Sequence, residues 1–278
     1  MKRRKSTKNA NCESVFKCYN SVAELSATLK NTEPYKDWEW HSMFRNAGEY
    51  QKRWAGETLE DSIEKLDKGD AAAAAKIKAQ GDILAEQNCG RMPKIETAVI
   101  GCVPNVPNYL RGVPTNMMRV NIEPRQKPII DMYINSAIYD GIDTDKVAMA
   151  AAKIANLIAG VEAADVRVNL YAINAVSKNG GKYGMCVKIK DADSPLNLLN
   201  IGYCICNRAF CRCTFTRWLE CNVEHYVENY GTPMYNESIK KSFNVDGLFF
   251  DIKSMVENNT TFEELEMKTN GYLKSREN

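Results

Sequence analysis

A chain of 278 residues, 44% hydrophobic and 26% charged, is long enough for one large core or two modest ones, and this composition excludes a wholly disordered polypeptide. No stretch approaches the roughly 20 consecutive apolar residues of a membrane-spanning helix, so no membrane association is expected. The net charge is +2, but with Lys2, Arg3, Arg4, Lys5 and Lys8 set aside, 32 basic residues face 35 acidic ones, which excludes a body built as a dedicated polyanion binder.

The start, MKRRKSTKNANCESV, is basic but has no apolar run behind it, so it does not read as a secretory signal. A cytosolic setting keeps thiols reduced. The ten cysteines then read as free thiols or metal ligands rather than as a disulfide framework. Residues 1–20 are expected to be a flexible basic tail, in which Lys2, Arg3, Arg4 and Lys5 could touch phosphates or an acidic partner. Residues 21–94 read as a mostly helical region. A helix is expected from Ser21, with Val22, Leu25 and Leu29 on one face. Trp38, Trp40, Phe44 and Trp54 then make an aromatic-rich segment that needs something to pack against. Leu59, Ile63 and Leu66 recur at helical spacing, Gly69 interrupts, and Asp70 is placed to cap a second, alanine-rich helix.

From residue 95 onward the pattern alternates strand and helix, which predicts one α/β domain over residues 95–278. The apolar run 95–103 suits a buried strand, followed by PNVPNYLRGVP, where three prolines and Gly112 force a loop with room for one helical turn. Residues 127–137 read as a strand and 144–160 as a helix capped by Asp143 or Thr144. Residues 165–173 read as an alternating strand with one wetter face, near a sheet edge. The strand–helix–strand order implies a parallel crossover. Asn179-Gly180-Gly181 turns the chain into an alternating strand at 183–190, a hairpin signal. The run LNIGYCICN reads as a further strand, FCRCTFTRWLEC as a helix and 247–254 as a late strand. The last helix opens with Thr260 or Thr261 as cap and Glu263 or Glu264 reaching back.

Signatures of catalysis are sparse. The two histidines, His41 and His225, leave few ways to build a general-base site. Neither a Gly-x-Ser-x-Gly elbow nor a Walker-type phosphate loop occurs, and the Gly180-Gly181 pair fits a hairpin turn. The densest chemistry lies in 202–221, which holds five cysteines. On a strand, Cys204 and Cys206 would share a face; on a helix, Cys211 and Cys213 would lie on opposite faces. A hairpin around 207–210 would instead bring Cys204, Cys206, Cys211 and Cys213 together as a zinc site, and Cys221 with His225 one turn on could share a metal. The plainer reading is buried thiols acting as small hydrophobes, with no cofactor. Arg208, Arg212 and Arg217 could form a cationic face, or pair locally with Glu220. With the basic start and with Trp38 and Trp40, they motivate a nucleic-acid-associated alternative.

Three segments carry a resemblance: RWAGETLEDSIEKLDKGD, VIGCVPNVPNYLRGVPTNMM and CNRAFCRCTFTRWLE. Their order, with Trp54 and Gly56, Pro104 and Val106, Gly112 and Pro114, then Phe210, Arg212, Phe215 and Glu220, resembles an uncharacterised family of tailed-bacteriophage proteins over roughly residues 50–250. The resemblance implies no assigned activity. It implies a setting in the host cytoplasm or the virion. The C-terminal half also resembles a von Willebrand factor A-like domain. The resemblance therefore implies a von Willebrand A-like or Rossmann-like mixed sheet flanked by helices, behind the helical N-terminal region. Such domains hold a divalent cation through an Asp-x-Ser-x-Ser loop. Here Asp131 is followed by Met132 and Tyr133, and Asn135 by Ser136 and Ala137, so neither frame supplies both hydroxyls. A metal-dependent enzyme would have to use Asp131, Asn135, Asp140 and Asp143; otherwise Asp131, Tyr133 and Asn135 share a strand face and bond within the domain. The expected function is a non-enzymatic module with a protein partner of phage or host, able to form homo-oligomers, with nucleic-acid association as the alternative.

Overall fold

The computed structural model describes residues 14–38, 54–85, 95–101, 103–120, 128–137, 142–178, 180–227, 230 and 232–276. The first described residues, Ser14–Tyr19, already form a strand, β1, so six residues of the expected 1–20 tail belong to the fold. Helix α1 (Val22–Asn31) begins where Ser21 accepts the Glu24 amide while Glu24 accepts the Asn20 amide, and it buries Val22, Leu25 and Leu29 as their spacing predicts. Helix α2 (Leu59–Lys68) opens on a reciprocal pair between Thr58 and Asp61. Gly69, at φ +78, turns the chain into α3 (Ala71–Ala85), where the Asp70 carboxylate accepts the Ala73 amide.

Next comes a small lobe: β2 (Ile95–Ala98), β3 (Val103–Pro104), α4 (Val106–Leu110) and β4 (Met117–Val120), with the strands in antiparallel order β2-β4-β3. The buried strand expected over 95–103 is not formed. The strand stops at Ala98, and Val99 and Ile100 stand 66% and 81% exposed. The apolar run was read as interior because hydrophobicity was its only signal; with no second layer over this small sheet, nothing covers it among the described residues.

The body continues through β5 (Ile129–Asn135), α5 (Thr144–Ala163), β6 (Arg167–Lys178), β7 (Gly181–Lys190) and α6 (Leu198–Ile201). Two π-helical stretches, Gly202–Cys206 and Phe210–Thr214, lead into α7 (Phe215–Asn222). Then follow β8 (Thr232–Pro233), α8 (Asn236–Phe243), β9 (Leu248–Asp251), α9 (Ile252–Glu257) and α10 (Phe262–Arg276). The large sheet runs β1-β7-β6-β5-β9, with β8 also paired to β6. Strand β5 is parallel to β6 and β9, β1 is parallel to β7, and β6 and β7 form the antiparallel hairpin that the alternation and the glycine turn predict. The fold is thus a mixed α/β sheet flanked by helices, as expected.

Two expectations fail instructively. Strand β6 is central, not near an edge. Its wetter face, with Arg167, Asn169 and Tyr171 half-buried, lies on the thinly covered side of the sheet, where the packing comes mainly from residues 234–249. On that side Tyr171, Tyr133 and Phe249 stack across three strands, with centroids 4.8 and 4.7 Å apart. The run at 199–207 is helical rather than a strand. It is wedged into the main core near α3 and α5, and Gly202 makes the fit possible: a Cβ there would come within 2.9 Å of the Ala74 nitrogen and the Asp70 carbonyl oxygen. A segment buried on every side carries no period to read, so β-branched and aromatic content misleads.

Candidate functional site

The helical path of 202–214 decides the cysteine chemistry. Cys204 and Cys206 lie buried in the main core. Cys213 packs with Ala55 and Ala209 in a separate cluster, its thiol donating to the Glu57 carbonyl at 3.4 Å. Cys211 is half-buried, and Cys221 donates to the Thr32 carbonyl at 3.3 Å. The hairpin that would gather four thiolates is absent. Among the described residues no group of three or more His, Cys, Asp or Glu side chains converges as a metal site. Burial also opposes the ligand form, because metals bind thiolates. It pushes the Cys204 thiol far up, raises Cys206 to about 12 with help from Asp70, and raises Cys221 to about 11. His225 bonds Tyr183 Oη through Nε2 at 2.7 Å, and Cys221 is engaged with the Thr32 carbonyl.

Between the two π-helical stretches sits Asn207, which ties distant parts of the chain. Its amide donates to Asp70 at 2.8 Å and to Glu57 at 3.3 Å, while its oxygen accepts the Ala209 amide at 2.9 Å. Lys65 reaches Glu57 at 2.5 Å and Asp70 at 3.3 Å, and Ser62 donates to Glu57 at 3.0 Å. Burial works to raise the Asp70 carboxyl, but the Ala73 amide, Asn207 and Lys65 outweigh it and hold it below its ordinary range. The knot binds α2, the start of α3 and the 207–209 turn, and each buried charge has partners.

The arginines offered either as a cationic face or as local partners are engaged locally. Arg212 is buried, donates to the Trp54 carbonyl and lies 5.3 Å from the Trp54 ring centroid. Arg217 donates to the Thr32 carbonyl at 3.3 Å and stands 3.9 Å from buried Glu220, the local pairing that the sequence offered as the alternative. Arg208 rests on Gly56, where a Cβ would come within 2.8 Å of Nε. Trp38 is fully buried, with Nε1 donating to the Val223 carbonyl at 2.7 Å. These groups hold the N-terminal helices to α7 and the turn before it, and so are spent on the interior. Lys2, Arg3, Arg4, Lys5, Trp40, His41 and Asp140 lie outside the described residues.

The degenerate metal-loop positions are likewise used for cohesion. Asp131 accepts from Asn169 at 2.8 Å. Asn135 donates to Asp251 at 2.8 Å and to the Met234 carbonyl at 3.3 Å, joining β5 to β9 and to the approach to α8. The Ser136 hydroxyl is 3.4 Å from the Ile173 carbonyl. Asp143 caps α5 through the Asp145 amide at 2.9 Å. Asp131 and Asn135 are four residues apart along one strand, roughly 13 Å at the rise of an extended chain, too far to share an ion.

The remaining candidate is the small lobe. Val99, Ile100, Val103, Val106, Tyr109 and Leu110 are 66%, 81%, 52%, 56%, 68% and 78% exposed. Val106, Tyr109 and Leu110 share one face of α4 by helical spacing. Asn105 caps this helix by accepting the Asn108 amide at 3.3 Å, and Asn108 donates to the Thr115 carbonyl at 3.0 Å. Gly112, at φ +69, closes the turn. No described residue of 95–120 belongs to any of the three hydrophobic clusters of the protein. The helical turn within the proline-forced loop stands where the sequence offered one; what the sequence reading passed over is that Val106, Tyr109 and Leu110 share a face with nothing described to pack on.

A family model described as "Domain of unknown function (DUF7192)" matches residues 4–272, and the chain belongs to that family. No curated protein and no solved structure matches it.

Proposed function

We propose that this DUF7192 chain is a non-enzymatic interaction module that docks a protein partner through residues 99–110. The observation that carries the reading is the set of six large, exposed apolar side chains on a lobe that adds nothing to the hydrophobic clusters. Apolar surface that serves no core and faces water is costly to keep, and such surface marks partner sites. The groups are aliphatic apart from Tyr109, which suits an apolar protein surface rather than phosphates. The order of the quoted motifs supports a phage protein, acting in the host cytoplasm or the virion on a phage or host component. The parallel β5, β6 and β9 with flanking helices support the von Willebrand A-like reading of the body as a scaffold for the lobe.

The test places a photo-crosslinking residue at Leu110, in cells that make the protein naturally, with the same residue at exposed Met267 on α10 as control. A discrete cross-linked protein from position 110, absent from 267 and lost on Ile100→Glu, supports the reading. Equal labelling from both positions, or a turnover abolished by a single core-neutral substitution elsewhere, overturns it.

A further inference from the structure

Strand β1 lies at the edge of the large sheet and is paired to β7 alone. Within that parallel pairing Cys18 stands opposite Cys186. Paired residues of neighbouring strands point to the same face, and their strands lie about 4.7–4.9 Å apart. That spacing falls inside the roughly 4.4–6.8 Å between Cα atoms that a disulfide spans. Cys18 is exposed, whereas Cys186 is buried against Tyr133, Ile173 and Ala175. No other cysteine pair shares a strand register among the described residues.

We propose that Cys18 and Cys186 form a reversible dithiol–disulfide site that reacts with small-molecule disulfides and, when oxidised, latches the edge strand β1 to β7. The Cys18 thiolate attacks one sulfur of an external disulfide RS–SR, forming a mixed disulfide and expelling RS⁻, which takes up the Cys18 proton. Cys186 then attacks the Cys18 sulfur, expels the second RS⁻ and gives it the Cys186 proton. Two protein thiols and one external disulfide thus become one protein disulfide and two external thiols. Two electrons pass to the external disulfide. The roles follow from exposure: the accessible thiol attacks and the shielded one resolves. The neighbouring Cys186 thiol supports the order, since its proximity brings Cys18 down to about 7 against the effect of burial, while Cys186 is held above its ordinary value. A thiol that titrates near ambient pH is the best attacking group.

The experiment incubates the reduced full chain with glutathione disulfide, blocks the remaining thiols, and maps tryptic peptides without reductant. Lys17 separates Cys12 from Cys18 under tryptic cleavage, so their links are distinguishable. The expected result is the loss of two free thiols per chain and a dominant Cys18–Cys186 peptide pair that dithiothreitol releases. Cys18→Ser, a change at an exposed position, abolishes the pair, and Cys186→Ala leaves Cys18 as its glutathione mixed disulfide. A Cys12–Cys18 link, a Cys18 mixed disulfide that persists with Cys186 present, or no reaction at Cys18 overturns the proposal.

Discussion

At the scale of residues, a few charged groups are spent on the interior. Glu57, Asp70, Lys65 and Asn207 join segments up to 150 positions apart, and each change there removes more than one bond. Asp70 makes this measurable by pH. Its folded-state pKa lies below the ordinary 3.8, so its contribution is fully present above that value and is lost as pH falls through the folded value. Asp70→Asn is expected to lower stability at pH 7 and to flatten the fall in stability as pH drops from about 4 to about 2, read by urea unfolding at each pH. An unchanged acid slope would show that Asp70 is not a group whose protonation loosens the fold. The capping role of Asp70 was legible from its place before an alanine-rich run. Its bond to Asn207 was not, because local pattern holds no record of which turn folds back onto a helix start. The same holds for Arg212: its position in an arginine-rich stretch suggested a ligand, and only the fold reveals Trp54 beneath it.

At the scale of elements, most helices and strands follow from local signals. The Thr261–Glu264 reciprocal cap, the α5 cap at Asp143 and the β6–β7 hairpin stand where sequence placed them. The misreadings share one cause, the absence of a one-sided pattern. Residues 201–206 are buried on all sides, while the described side chains of 97–101 and 103 are exposed or half-buried, so neither shows the period that separates helix from strand. Strand β1 was missed because six residues before a helix give too short an alternation to separate from a tail. The α2–α3 junction carries the sharpest geometric demand. Gly69 has φ +78, and a Cβ there would lie 2.3 Å from the Leu199 Cβ and 2.8 Å from its backbone carbon. Gly69→Ala is therefore expected to cost about 2–4 kcal/mol, from left-handed strain plus overpacking. Chemical denaturation checks it, and a cost under about 0.5 kcal/mol, the level of an ordinary surface change, would contradict the close approach of α6 to this turn.

At the scale of the whole molecule, the body and the lobe divide the labour. The body ties many of its polar groups to one another and, among the described cysteines, keeps all but Cys18 and Cys211 largely out of water. The lobe does the reverse, holding its turns with Asn105 and Asn108 while its apolar side chains face outward. The proposed function shows in the sequence only as a scarcity of catalytic motifs; the exposed apolar surface on which the proposal rests appears once the chain is folded and the core leaves the lobe out. The most direct measurement is native mass spectrometry of the protein purified from its own source, wild type beside the double variant Ile100→Glu and Leu110→Glu. Both changes fall on exposed side chains, so the variant should unfold within about 2 °C of wild type. The account predicts that the wild-type chain of 31.3 kDa travels with an added polypeptide, and that the variant appears at its own bare mass. A wild-type chain at its bare mass, or a complex that the double variant retains, would contradict it.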